Sequence, residues 1–253
     1  MPHLHRLITI LMSESESIRL AKRVVDRMAC SRREAEIYIE GGWVQVDGEV
    51  IEEAGYKVRP EQTVELLPQA TLTPAVPITI LLHKPAGVAL TDAVATLQLI
   101  DRAERIEDDR SGITFLKRHL TGLEMLTPLE TEASGLLVFS QDWQIKRKLI
   151  EDAGKVEQEY IVEVGGEIAA GGLALLNHGL AWNGKPLPPI KVSRQNETRL
   201  RFAMKSPDRG LIAHMCAKVD LEIVSMRRIR IGRVPMANLP IGKWRYLLGY
   251  ERF

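Results

Sequence analysis

One stretch decides the fold of this chain: Leu126-Thr127-Pro128-Leu129-Glu130-Thr131-Glu132-Ala133-Ser134-Gly135-Leu136-Leu137-Val138-Phe139-Ser140. Its second half is a short apolar run, which is typical of a buried strand. Its first half is polar and contains a proline, which indicates a turn that leads into the strand. A carboxylate, Glu130, lies in this turn. Taken alone, the stretch also fits an ordinary buried strand, because short patterns often arise by chance.

The N-terminal part of the chain predicts two helices followed by a hairpin. Apolar periodicity predicts the first helix over residues 18–28. Ser31 and Glu34 have the spacing of a capping box, in which the serine hydroxyl accepts from the helix backbone and the glutamate reaches back. The second helix then runs through residues 35–39 and ends at Gly41-Gly42. Alternating residues on both sides of Asp47-Gly48 predict the hairpin.

Basic side chains are concentrated on these two helices. Those of the first helix follow a helical spacing and share one face, and two more open the second helix. A one-sided basic face favours contacts with RNA phosphates, whereas a charge run more often means a solvated surface. The predicted phosphate contacts are Arg19, Lys22, Arg23, Arg27, Arg32 and Arg33.

A second basic run occupies residues 227–233. Arginine and isoleucine alternate there, which predicts a strand with one basic and one apolar face. Arg228 and Arg230 are therefore added to the predicted RNA contacts. The whole chain carries a formal charge of only +1, from 34 Lys+Arg and 33 Asp+Glu. Such local patches, rather than the overall charge, would attract phosphates.

Composition limits the class of protein. With 253 residues, 45% of them hydrophobic, the chain can form one large or two smaller domains with a proper core. The two cysteines form no C-x-x-C pair, which favours a reduced, cytoplasmic setting. The apolar run at residues 7–11 is too short to span a membrane, so we expect no membrane association.

A small, polar, proline-containing segment at residues 69–77 has the composition of a linker. It predicts a small N-terminal module at 17–67 and a second domain at 78–253. In the second domain β-branched runs alternate with amphipathic helices, at 144–153 and 211–219 among others. This mixture favours an α+β fold with a largely antiparallel sheet.

The opening stretch resembles the active-site signature of the pseudouridine synthases, R-L-D-x-x-T-x-G-L-L, with Glu130 at the position of the nucleophilic aspartate. The N-terminal module resembles the S-four-type RNA-binding module of a ribosomal protein. Together they resemble the RsuA/RluF class, which modifies ribosomal RNA. Other segments similar to the family follow in its order: Leu82 to Gly87, Gln158 to Val162, Gly210 to Met215, Ile229 to Gly232 and Leu239 to Arg245.

This resemblance implies an α+β synthase domain that isomerises uridine to pseudouridine in RNA, and the class implies ribosomal RNA as that substrate. It further implies a monomer that needs no metal or cofactor. The target base must leave its helix and enter a pocket. There Glu130 would act on the sugar or the base, Tyr160 would stack under the uracil, and Ile212 would line the pocket. Lys84 and Pro85 match the family as scaffold.

Some family positions hold other residues. Pro128 replaces an arginine, and Ala213 replaces the arginine that pairs with the family's carboxylate. Leu211 and His214 replace a glutamine and a second arginine, and His214 is the nearby residue that could supply a positive charge. Two functions follow: an active synthase that uses glutamate, or a catalytically impaired relative that binds RNA without modifying it. An enzyme of unrelated chemistry is disfavoured, because no phosphate loop, metal cluster or nucleophile triad is found.

Overall fold

The computed structural model describes residues 17–73, 76–90 and 97–253. Two compact units divide the chain. The first is the chain up to Val76 together with Phe115–Thr121, and the second is Pro77–Thr114 with Gly122–Phe253. The domain limits of 17–67 and 78–253 remain a prediction. The apolar run at 7–11 and positions 74 and 75 of the predicted linker lie outside the described residues.

In its described residues, the first unit has two short α-helices and five short strands. Their bounds are β1 Ile18–Arg19, α1 Leu20–Met28, α2 Arg32–Glu40, β2 Val44–Val46, β3 Glu49–Val50, β4 Lys57–Val58 and β5 Val64–Leu66. Strands β3, β2 and β5 form a three-stranded antiparallel sheet, and β1 pairs with β4. The apolar faces of both helices, including Leu20, Val24 and Ile39, pack on Val44, Val46, Val58 and Val64.

Both local predictions in this unit are confirmed. The Glu34 N–H donates to Ser31 Oγ at 3.2 Å, and the Ser31 N–H donates to Glu34 Oε2 at 2.7 Å, so the capping box is complete. The Asp47-Gly48 turn joins β2 to β3, with both turn residues at positive φ. Capping and turn residues act within four positions of each other, which is why sequence alone locates them.

The second unit contains one large sheet flanked by three described helices. Its elements are β6 Thr79–Lys84, β7 Glu124–Met125, β8 Ser134–Ser140, α3 Trp143–Ile150, β9 Glu157–Gly165, α4 Gly172–Asn177, β10 Ala181–Trp182, β11 Lys185–Pro186, β12 Lys191–Arg194, β13 Arg199–Lys205, α5 Leu211–Ala217, β14 Glu222–Ile231, β15 Val234–Pro235 and β16 Trp244–Tyr246. Within the described residues, no helix is both long and apolar enough to cross a membrane.

The order of strands across the large sheet is β12-β13-β9-β14-β8-β6-β16, with β15 beside β14 and β7 beside β8. Strands β14 and β8 run parallel, while the other pairs in this sheet are antiparallel. The predicted α+β fold with a mixed, mainly antiparallel sheet is therefore confirmed. The parallel pair brings Arg228 next to Gly135, which places the opening stretch at the centre of the sheet.

The predicted alternation of a basic and an apolar face along β14 is wrong. The register with β9 shifts between Arg228 and Arg230, where a bulge interrupts the two-residue period. Before the shift Arg228 shares the inward face with Met226 and is 2% exposed, while Arg227 is exposed; after the shift Ile231 is buried and Arg230 is half-buried. A sequence pattern cannot reveal this shift, because a bulge moves every following side chain relative to its neighbours.

Gly135 is required where β8 meets β14. Its φ is +114°, and a Cβ atom built on it would lie 2.3 Å from the Arg228 carbonyl oxygen and 2.6 Å from the Arg228 nitrogen. Both clashing atoms belong to backbone in the middle of the sheet, so neither can move aside cheaply. A glycine is thus the residue that allows the two strands to approach this closely.

We predict that Gly135→Ala lowers the free energy of unfolding by at least about 3 kcal/mol, because backbone strain and overpacking coincide. The measurement is denaturant unfolding of the full chain. Gly184→Ala is the matched control: Gly184 also has a positive φ, of +77°, but nothing lies within 4 Å of its added Cβ. The control should lose about 1 to 2 kcal/mol. Equal losses for both variants would contradict the close-approach argument.

Candidate active site

The structure brings the three predicted catalytic residues together. Glu130, Tyr160 and Ile212 line one pocket in the second unit. The remaining lining residues are Pro128, Leu129, Pro207, Asp208, Arg209 and Met226. The pocket volume is about 30 Å³, which leaves room for no more than a few water molecules. A pyrimidine base is several times larger, so the pocket is closed to a base in this conformation.

Glu130 lies in the turn that precedes β8. Its Oε1 accepts a hydrogen bond of 2.7 Å from the backbone N–H of Gly210, which is the residue before α5. The Ala133 N–H donates to the Glu130 carbonyl oxygen at 3.2 Å and closes the turn. The carboxylate is half-buried. Glu130 therefore links the turn before β8 to the start of α5 across the pocket.

A buried lysine holds the turn that carries Glu130. Lys84 is 0% exposed, and its Nζ donates to the carbonyl oxygens of Pro85, Thr131 and Ala133 at 2.8 to 2.9 Å. The Gly87 N–H also donates to the Thr131 oxygen at 2.8 Å. Burial lowers the pKa of Lys84 to about 8, and the negative charge of Glu132 opposes that shift.

A buried arginine holds the other side of the same stretch. Arg228 donates to the Leu136 carbonyl oxygen, to the carbonyl and hydroxyl oxygens of Thr127, and to Gln158 Oε1, at distances between 2.5 and 3.2 Å. Burial lowers the pKa of its guanidinium. Because its N–H groups are used inside the protein, Arg228 cannot bind an RNA phosphate, and its predicted role in RNA binding is corrected to a structural one.

The hydrogen bonds around Arg228 also fix the hydroxyl end of Tyr160. Its hydroxyl donates to Gln158 Oε1 at 2.7 Å and lies 3.5 Å from Arg228 Nη1. The side chain is 4% exposed and lines the pocket. The ring therefore has a defined orientation before any base binds.

Arg230 is already paired with carboxylates, so it is not free to bind a phosphate. Its guanidinium pairs with Glu157 and Glu159, each at 2.5 Å, and also donates to the Gly232 carbonyl oxygen. Hydrogen bonding by Arg230 lowers the pKa of Glu159, against the opposing effect of burial. The positive charge of Arg230 is thus already balanced by two carboxylates of β9.

The family positions on α5 do not supply a charge to the pocket. Ala213 is exposed and does not line it. His214 Nε2 lies 3.0 Å from the Ala181 carbonyl oxygen, and its ring makes an edge contact with Trp182 at 5.0 Å between centroids. Trp182 in turn donates from Nε1 to Asp208 Oδ2 at 3.0 Å. His214 therefore packs against the β10–β11 hairpin.

Sequence reasoning missed Arg209. This exposed arginine lines the pocket beside Glu130 and immediately precedes Gly210, whose N–H binds the Glu130 carboxylate. The signal in the sequence was that Arg209 directly precedes the segment Gly210 to Met215, which resembles a family motif. The family has its arginines within that segment, so the motif does not point to the residue before it.

The predicted RNA-binding residues of the first unit are mostly exposed. Arg19, Lys22 and Arg32 line one groove of about 540 Å³ between α1, α2 and the Ala54-Gly55 turn. Arg27 and Arg33 are exposed as well. Arg23 is half-buried and donates from Nη2 to the Arg59 carbonyl oxygen at 3.3 Å. Three of the six predicted cations therefore share one groove.

In the part of the chain that the structure describes, no group of three or more His, Cys, Asp or Glu side chains is arranged to hold a metal ion. Cys30 and Cys216 are free thiols.

Comparison with known proteins finds similarity over both units. The S4 domain model matches residues 18–64. An uncharacterized RNA pseudouridine synthase of Aquifex aeolicus is 25% identical over 92% of this chain and 94% of its own. The dual-specificity RNA pseudouridine synthase RluF of Escherichia coli K12 is also 25% identical, over 95% of this chain and 79% of its own. The chain is homologous to the RluF- and RsuA-type pseudouridine synthases.

Other similarities agree with this assignment. The ribosomal small subunit pseudouridine synthase A of Vibrio cholerae is 24% identical over 92% of this chain and 97% of its own. A crystal structure of a pseudouridylate synthase superposes with a TM-score of 0.57 at 18% identity, covering 91% of this chain and 96% of that one. At this identity the superposition establishes the pseudouridine synthase fold.

We predict that Lys84→Met destabilises the chain, because three carbonyl oxygens lose their buried donor. The loss also depends on pH. The folded-state pKa of about 8 lies below the usual value of 10.5, so the unfolded chain binds more protons between these values and the Lys84 contribution to stability rises with pH. The stability gap between unaltered chain and variant should therefore widen from pH 8 to pH 10.

Urea unfolding at several pH values measures this gap. Lys218→Met, which removes an exposed lysine, is the control and should show little change at any pH. A gap that narrows as the pH rises would show that Lys84 does not carry the lowered pKa.

Proposed function

We propose that this protein binds RNA through its S4 domain and isomerises uridine to pseudouridine in the second unit. The observation that carries the proposal is the convergence of Glu130, Tyr160 and Ile212 on one pocket. These residues come from the turn before β8, from β9 and from α5, so only the folded chain brings them together. The homologous RNA pseudouridine synthases support the same reaction.

Each of the three residues has a role that its surroundings allow. The Glu130 carboxylate faces the pocket and acts on the sugar or the base of the target uridine. Tyr160 presents a ring whose hydroxyl is already fixed, so it can stack on the uracil without losing much side-chain entropy. Ile212 supplies an apolar wall, which helps to exclude water from the reacting base.

Arg209 provides the positive charge that Ala213 lacks. It lines the pocket with Glu130 and extends from the residue next to Gly210. An arginine close to the carboxylate keeps it ionised and restricts its orientation. In this structure the two side chains form no ion pair, so the proposed pairing belongs to the RNA-bound state.

The pocket must widen before a base can enter. Lys84 and Arg228 fix the wall formed by residues 127–136. The opposite wall is Pro207, Asp208 and Arg209, which lie in a turn at the protein surface and are exposed or half-buried. The turn is therefore the wall that moves, and movement breaks the hydrogen bond between the Gly210 N–H and Glu130.

The type of RNA, the cellular location and the oligomeric state that we propose rest on the same homologues and on the amino-acid composition. We propose ribosomal RNA as the substrate, the cytoplasm as the location and a monomer as the working state. Neither a metal nor an organic cofactor is needed for the reaction, since one uridine is both substrate and source of the reattached base.

The second candidate is an RNA-binding protein that does not modify its RNA. A specific observation favours it: the carboxylate at the aspartate position is longer by one methylene and is held by the Gly210 N–H in a pocket of about 30 Å³. A misplacement of about 1 Å can cost on the order of a hundredfold in rate. The two candidates share the fold and RNA binding, and differ only in turnover.

The test of turnover is tritium release from carbon-5-labelled uridine in ribosomal RNA. We predict that the unaltered chain releases tritium and that Glu130→Gln abolishes release. Glu132→Gln is the matched control, because Glu132 is an exposed carboxylate in the same turn and does not line the pocket. Arg209→Gln should slow release by about a hundredfold, whereas Arg209→Lys should retain more activity. No release by the unaltered chain would establish the second candidate.

A separate test addresses the S4 domain. We predict that Lys22→Glu weakens binding to ribosomal RNA and reduces the dependence of log Kd on log salt concentration by about one, since each phosphate contact contributes nearly one unit. Arg59→Glu makes the same type of charge reversal in the same unit, outside the groove of Arg19, Lys22 and Arg32. Equal effects of the two variants would show that the groove has no special role.

A further inference from the structure

A wide cleft of the second unit is distinct from the pocket of Glu130. It has a volume of about 790 Å³ and shares no lining residue with that pocket. Three chain segments form it: the loop from Ile106 to Arg110, the segment that begins at Arg233 and continues through β15, and the C-terminal stretch after β16. Its volume is large enough for nucleotides, in contrast to the 30 Å³ of the closed pocket.

The floor of the cleft is apolar and firmly anchored. Met236 and Leu239 are buried in the main core of the second unit, and Ile106 packs against the same core. The loop wall is fixed by Asp109, which accepts from Arg105 Nε at 2.8 Å and from the Tyr246 N–H at 3.1 Å. The cleft is therefore a preformed concavity that requires no folding of its own to bind a ligand.

The rim of the cleft has a positive charge that is only partly balanced. Arg245 pairs with Glu251 through two hydrogen bonds of 2.7 Å, and Arg110 pairs with Asp108 at 3.0 Å. Arg252 donates only to the carbonyl oxygens of Gly249 and Glu251. Arg233 is exposed and has no hydrogen bond or ion pair to any residue that the structure describes. The cleft thus carries two arginine charges without a carboxylate partner.

An aromatic ring stands beside these charges. Tyr250 lines the cleft and is 80% exposed, more than any other large hydrophobic side chain of the described residues. An exposed ring gains nothing from the core, but it can stack on a nucleic-acid base whatever the base identity. Arginines next to an aromatic platform are the combination that proteins use to bind single-stranded nucleic acid.

We propose that this cleft binds a single-stranded RNA segment, with a base stacked on Tyr250 and phosphates held by Arg233 and Arg252. The proposal rests on the proposed RNA substrate, and it adds a second contact site on the unit that carries Glu130. Met226 lines the pocket and Arg233 lines the cleft, seven positions further along the chain. At about 3.3 Å per extended residue these positions are at most about 23 Å apart, a distance that a few extended nucleotides span.

The experiment uses the full chain and an oligouridylate that contains 5-iodouridine. Ultraviolet cross-linking followed by mass spectrometry of the peptides should identify Tyr250 as a cross-linked residue. Tyr250→Ala should weaken oligouridylate binding about fivefold to a hundredfold, which corresponds to the loss of one stacked base. Tyr250→Phe keeps the ring and should bind within about twofold of the unaltered chain.

The charge contribution is tested with Arg233→Glu, which should lower the salt dependence of binding by about one unit of slope. Arg194→Glu reverses an exposed arginine at the far edge strand β12, outside both cavities, and serves as its control. The proposal is overturned if Tyr250→Ala binds like the unaltered chain, if phenylalanine is no better than alanine, or if an acidic peptide rather than the oligouridylate depends on Arg233.

The outcome can be separated from that of the proposed reaction. Dependence of oligouridylate binding on Tyr250 and Arg233 supports the cleft even where no tritium is released from uridine. Normal tritium release together with unchanged binding by both cleft variants overturns the cleft and leaves the reaction intact.

Discussion

The geometry of the candidate site depends on two buried cations that bind backbone carbonyl groups. Lys84 holds the carbonyl oxygens of Thr131 and Ala133, and Arg228 holds those of Thr127 and Leu136. Burying a charge is costly unless its donors are satisfied. Among the described residues neither cation has a hydrogen bond to a carboxylate, so carbonyl dipoles, an amide and hydroxyl groups provide the compensation. The turn that carries Glu130 is thereby fixed on both sides.

This arrangement explains how a rigid wall and a movable wall can form one pocket. The Lys84 and Arg228 contacts would have to break together for residues 127–136 to shift. The wall opposite is attached through the Gly210 hydrogen bond to Glu130 and the Trp182 hydrogen bond to Asp208. Losing two such bonds costs about 1 to 3 kcal/mol in total, which RNA binding can supply. In the proposed opening, the movement therefore falls on the wall that does not carry the carboxylate.

The sequence predicts well the features that depend on residues close together in the chain. It does not predict the features that depend on contacts between residues far apart in the chain. The Ser31–Glu34 capping box and the Asp47-Gly48 turn involve residues within four positions, so residue type alone specifies them. The resemblance to the pseudouridine synthases implied one site for Glu130, Tyr160 and Ile212, and these residues line one pocket. The burial of Arg228 is compensated by partners from 68 to 101 positions away, and a bulge after Arg228 separates its face from that of Arg230. No alternation of arginine and isoleucine contains that information.

The replacement of aspartate by glutamate at position 130 also has a structural consequence that residue type alone does not show. The longer side chain reaches the Gly210 N–H at 2.7 Å, and this bond occupies one carboxylate oxygen while it closes the pocket. The backbone of the turn is fixed by Lys84, so the extra methylene cannot be absorbed by moving the chain. It must be accommodated at the carboxylate itself. In the proposed RNA-bound state, opening of the Pro207–Gly210 turn would free that oxygen, widen the pocket and let Arg209 approach Glu130, so one local movement would meet all three needs of the proposed reaction.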